Sequence, residues 1–205
     1  MVKNLVSKKA IHLSVIFGLL CAVFVSFADF NIACDELRTN VLRLHIIANS
    51  DSEADQSLKL MIRDELLLQS EEIFAEASDI EGAISVAENS LEAIEQIANG
   101  VLKENGAEYP ATASVGEHYF ETREYEDFTL PAGNYKSLII DLGAGKGKNW
   151  WCVIFPEVCI PAASDGSLSD AVTEQGTAVA ENPERYVMRF KTVEIYEKIK
   201  KSIRN

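Results

Sequence analysis

Beyond the N-terminal apolar segment that holds His12, His45 and His118, with the many carboxylates around them, are the groups that could move protons at neutral pH. Hydrolysis by a serine or cysteine needs such a base beside a nucleophile, and a zinc hydrolase needs paired histidines at helical spacing. Neither histidine stands in a nucleophile-elbow pattern, and no His-x-x-x-His occurs. Both fall in apolar, strand-like stretches, where a histidine ordinarily serves structure. The segment Gly143-Ala-Gly-Lys-Gly-Lys-Asn149 invites comparison with phosphate loops. A P-loop, however, requires a hydroxyl after its lysine and a helix beyond it, whereas here an asparagine and a strand follow. No catalytic, cofactor-binding or metal-ligating residue is therefore assigned, and no cofactor is expected.

Recognition chemistry is better represented. Trp150 and Trp151 are the two tryptophans, and in a strand they must point to opposite faces. One is expected in the core. The other is a candidate anchor for a partner, with cover by residues 162–184 as the alternative. The candidate partner-binding set is Trp150, Trp151, Asn149, Tyr135, Lys146, Lys148, His45 and Arg63. Cys152 and Cys159 flank Pro156. In an oxidising compartment they are expected to pair as a disulfide, with two buried thiols as the alternative.

These residues need a scaffold, and the chain predicts one. Residues 135–142 and 150–155 are rich in β-branched and aromatic residues and read as two strands, with the glycine stretch 143–149 as a hairpin loop between them. Residues 41–48 read as an earlier strand, with Leu42, Leu44 and Ile46 on one face and Arg43 and His45 on the other. Residues 53–77 show helical spacing. A capping box at Ser78 and Glu81 opens a second helix running to about residue 104, closed by Asn105-Gly106. Residues 111–120 read as another strand. Residues 29–40 have no clean period and read as a lead-in, and residues 162–184, small and polar, read as a mobile excursion. Residues 190–203 form a basic helix with Phe190, Val193, Tyr196, Ile199 and Ile203 on one stripe. That helix could dock on the acidic helical pair or on something else. The expected fold is α+β: a small mixed or antiparallel sheet of about four strands packed against two long amphipathic helices, with a C-terminal helix.

Compartment and charge narrow the partners. Lys3, Lys8 and Lys9 precede an apolar run from Leu13 to Val25, and Ser26-Phe-Ala28 follows. That order predicts a secretory signal cleaved after Ala28, with an uncleaved anchor as the alternative. The rest, residues 29–205, is read as one secreted domain. The chain carries a formal net charge of -13. Such a balance argues against nucleic acid, anionic lipid or anionic wall polymers as partners.

Leu42-Arg-Leu-His-Ile-Ile-Ala-Asn-Ser-Asp51, Asp55-Gln56, Leu58-Lys-Leu60, Arg63-Asp64, Leu130-Pro-Ala-Gly-x-Tyr135, and Gly143-x-Gly-x-Gly-x-Asn-Trp-Trp-Cys-Val153 with Phe155-Pro156 and Cys159 together resemble the stage II sporulation protein R family. The resemblance covers about residues 41–161. It implies a non-enzymatic signal made in the forespore and exported into the space between forespore and mother cell. There it would activate a membrane-embedded aspartic-type protease of the mother-cell membrane, which matures the precursor of sigma factor E. A secreted hydrolase using the histidines and a cell-wall binding module are the alternatives.

Overall fold

The computed structural model describes residues 8–125, 128–156 and 172–204. Strand β1 (Leu42–Ile47) alternates as its sequence dictates, and it lies inside a four-stranded mixed sheet. The sheet is completed by β2 (Ala111–Phe120), β5 (Gly133–Leu142) and β6 (Asn149–Phe155), in the order β2-β5-β1-β6. β5 runs parallel to β1, with Leu44 opposite Leu138, and β6 runs antiparallel to it, with His45 opposite Trp151. A short ribbon, β3 (Arg123–Glu124) with β4 (Thr129–Leu130), stands beside the sheet.

The expected hairpin between β5 and β6 is corrected by this order. β1 occupies the place between them, so residues 143–148 cross the end of β1 instead of turning back on their own strand. Local propensity identifies both strands, but pairing is decided by which strand can bury both faces, and β1 is buried from Leu42 to Ile46.

One face of the sheet is covered by α2 (Glu53–Phe74), α3 (Ile80–Asn89) and α4 (Leu91–Glu104). Leu42, Leu44, Ile46, Leu138 and Ile140 pack there against Leu58, Ile62, Leu66, Ile94 and Leu102. The single helix expected over residues 80–104 is broken at Ser90, whose backbone leaves the helical region (φ -99°, ψ 4°). The α3 cap is Asp79, which accepts from the Gly82 N–H, and not Ser78. Past the break, α4 lies along the outer edge of β2. Asn99 there bonds both backbone groups of Ala111, and Glu95 takes the Ala113 N–H. Part of that sheet edge is thereby occupied.

The opposite face has a second layer that local sequence patterns do not announce. Residues 29–39 are not a lead-in but the end of α1 (Lys8–Thr39), with Phe30, Ala33, Cys34 and Leu37 buried at helical spacing. Glu36 accepts from both the N–H and the hydroxyl of Thr173, and Arg38 donates twice to the Ala132 carbonyl, at 3.0 and 2.6 Å. The described part of the segment expected to be mobile is ordered. It forms α5 (Glu174–Glu181), which buries Val179 and Ala180 against α1, and a 3-10 turn at Pro183–Arg185. Residues 162–171 lie outside the described residues. The C-terminal helix α6 (Val187–Arg204) buries Phe190 and Val193 on this second layer, not on the acidic helices. Residues 13–25 of α1 project free of the domain, and α1 is long and apolar enough to cross a membrane, a test that a signal sequence also passes.

Leu37 is fully buried, so Leu37→Ala is expected to lower unfolding free energy by about 3 kcal/mol, as for other core truncations. Chemical denaturation of the full chain in detergent checks this. A change below about 0.5 kcal/mol, the size expected of a surface site, would detach residues 29–39 from the fold.

Candidate functional site

The crossing of residues 143–148 over β1 creates the most densely bonded polar site in the described chain. Gly147 N donates to the Ala48 carbonyl at 2.8 Å and Lys146 N to the Asn49 carbonyl at 3.2 Å. A Cβ at Gly147 would collide with the Ser50 carbonyl, and Gly143 holds φ +57° against Asn49 and Tyr109, so both positions require glycine. Side chains complete the clasp. Asn49 accepts from Ala144 N at 2.9 Å and donates to the Asp55 carboxylate at 2.9 Å. Asp55 also accepts from the Ser50 and Tyr109 hydroxyls, each at 2.5 Å. Asp51 takes Lys148 N at 2.7 Å, while Lys59 donates to Gln56 and to the Lys148 carbonyl.

The hydroxyl of Ser50, followed by that of Tyr109, holds the Asp55 carboxyl down to about 2. Hydrogen bonds to the charged form outweigh burial here. Asp55 thus stays ionised at neutral pH and serves as the acceptor on which three donors converge.

The clasp delivers the chain into β6, and there it places Asn149, Trp150 and Trp151. The two indoles do point to opposite faces, yet neither is fully core and neither is bare. Trp150 lies half-buried on the α2 side with the Arg63 guanidinium 4.4 Å from its ring centroid. Trp151 lies half-buried on the other side beneath Arg123, at 3.9 Å. Each is capped by a cation from another element. Asn149, Lys146 and Lys148 are exposed beside Trp150 and Arg63, so five of the eight residues expected to meet a partner gather at one end of the sheet.

Tyr135 and His45 belong to the interior instead. Tyr135 is buried and donates its hydroxyl to the Pro131 carbonyl at 2.6 Å. His45 is 1% exposed and stacks near His118, with ring centroids 4.6 Å apart, and Trp151. Cys152 is buried; its expected partner Cys159 lies outside the described residues.

Arg43 completes the second face. It is fully buried and donates to the Tyr125 hydroxyl at 2.6 Å, with its guanidinium 3.8 Å from the Phe120 centroid. Among the described residues it forms no ion pair, and aromatic faces substitute for one. Sequence reasoning misses Arg43, Arg123, Asn49, Asp55 and Tyr109 as site residues. Asn49 and Asp55 are part of the family-like pattern, but their convergence with Tyr109 requires the fold.

Burial lowers the proton affinity of both histidines. Burial, and then the neighbouring His118, pull the His45 pKa down to about 4, with Asn149 acting weakly the other way. Among the described residues, no group of three His, Cys, Asp or Glu side chains is placed to hold a metal. Because the folded pKa is depressed, the unfolded chain takes up the proton first. Stability is therefore expected to fall as pH drops from about 6.5 to about 4. Thermal unfolding across that window should show the loss, and His45→Phe should flatten it. An unchanged slope would place the proton uptake elsewhere.

The sequence profile of the stage II sporulation protein R family matches residues 38–165. Stage II sporulation protein R of Bacillus subtilis (strain 168) is 38% identical over 134 residues, which cover 65% of this chain and 58% of that protein. No solved structure matches. The clasp residues and the Asn-Trp-Trp strand fall inside the matched region, and the chain belongs to the stage II sporulation protein R family.

Proposed function

We propose that this chain is an exported sporulation signal that works by binding, passing information from forespore to mother cell. Its target is a membrane-embedded aspartic-type protease of the mother-cell membrane, which matures the precursor of sigma factor E. The observation that carries the reading is the convergence of the family-pattern residues. Asn49, Asp51, Asp55, Lys59 and the glycine loop are consumed in holding β6, while Lys146, Lys148 and Asn149 are exposed at its end, next to the half-buried Trp150 under Arg63. A site built for chemistry would present its proton-transfer groups; this one presents Trp150 under Arg63, residue types enriched in interface hot spots, with exposed polar groups around them.

Export is supported by where the predicted cleavage falls. Ala28 separates the exposed apolar part of α1 from Phe30, Ala33, Cys34 and Leu37, so removal of residues 1–28 leaves the buried stripe with the domain.

The mechanism follows from the target. An aspartic dyad needs two carboxylates sharing a proton, so a protease giving one per chain works only as a correctly packed pair. A ligand preferring that pair by about 2.7 kcal/mol shifts the populations a hundredfold. On this reading the patch residues supply that preference by contact alone.

Co-expression of the chain, the protease and the precursor in a host without other sporulation proteins tests this. Precursor cleavage should require export of the chain, and Lys146→Glu combined with Lys148→Glu, both exposed side chains, should abolish it without changing the melting temperature. Cleavage driven equally well by an unexported chain, or by that double variant, would sink the proposal.

A further inference from the structure

α6 carries a second apolar face that nothing in the described chain covers. Phe190 and Val193 turn inward. At about 100° per residue, Met188, Ile195, Tyr196, Ile199 and Ile203 fall together within one arc of about 100° on the outer side. They are exposed by 78%, 59%, 58%, 54% and 80%. Lys191 and Lys198 border this arc on one flank and Arg189 and Lys200 on the other, and the helix holds six basic residues against Glu194 and Glu197.

We propose that this face of α6 lies on a bilayer surface bearing anionic lipid. An exposed apolar arc between two rows of basic residues is the pattern of a helix lying in the membrane interface, with its long cationic side chains reaching to headgroups. Two further observations point the same way. In the chain that still carries residues 1–28, the first turn of α6 sits on α1 just past its apolar run: Arg189 donates to Ser26 at 2.7 Å, and Phe30 stacks with Tyr186 at 5.4 Å and meets Phe190 at 5.2 Å. Charge is also divided across the molecule. The net charge of -13 disfavours an anionic surface for the chain as a whole, but α6 is locally basic and is the face such a surface attracts. A second copy of the chain fits the arc poorly, since it would bring like-charged borders together.

The test reads the position of residue 196 in the uncleaved full chain, reconstituted through α1. Tyr196→Trp is compared with the parent chain in vesicles of phosphatidylcholine alone or mixed with phosphatidylglycerol, using brominated acyl chains as the membrane quencher and iodide as the aqueous one. The added emission is expected to be quenched at least about twofold more by bromolipid when phosphatidylglycerol is present. The gain should vanish in high salt, and also when Ile195→Asp and Ile199→Asp are introduced, with circular dichroism unchanged. Quenching by iodide alone would put the face in water. Protection from both quenchers would mean that protein covers it, and equal bromolipid quenching without phosphatidylglycerol would exclude an anionic surface; each result overturns the inference.

Discussion

The Asp55 carboxylate, receiving Asn49, Ser50 and Tyr109 at once, is the interaction on which the arrangement of this protein depends. It ties the end of β1, the start of α2 and the approach to β2 into one polar knot. Onto that knot the loop between β5 and β6 is laid. Burial of both faces of β1 decides the strand order, and the knot fixes the loop that carries the chain across β1 into β6. The ionised state is favoured because the donors bind the charged form, and each donor in turn gains a partner that water would otherwise supply.

What the clasp places is a strand with different surroundings on its two sides. Trp150 meets the α2 layer under Arg63, and Trp151 meets the Arg43–His45–Phe120 cluster under Arg123. Capping each indole with a guanidinium keeps both aromatic faces shielded while leaving the strand's end open to contact. The family-pattern residues thus divide into those that build the support and those that stand on it. The proposed binding role rests on that division.

Alternating strands and amphipathic helices are legible in the sequence, because Leu42, Leu44 and Ile46, or Leu58, Ile62 and Leu66, mark their faces with large apolar side chains. Elements whose buried faces are made of small residues stay hidden. Phe30, Ala33, Cys34 and Leu37 keep helical spacing, but alanine and cysteine carry little hydrophobic weight among Asp35, Glu36 and Arg38. Gly176, Val179 and Ala180 in α5 are concealed for the same reason. The glycine loop misleads for a different one: positive φ suits a hairpin, yet Gly147 is needed for close approach to Ser50, a contact with a residue far earlier in the chain. Opposite faces for the two tryptophans follow from strand geometry alone, whereas their arginine caps come from α2 and β3 and cannot be read locally.

The clasp accounts for β6 only if Asp55 is its keystone, and amide hydrogen exchange on the full chain measures that directly. In Asp55→Asn, the Ala144, Gly147 and Lys148 amides and those of β6 should lose protection together, while α4 and the β2–β5 pairing keep theirs. Retention of protection in the loop and β6 of that variant would contradict the account.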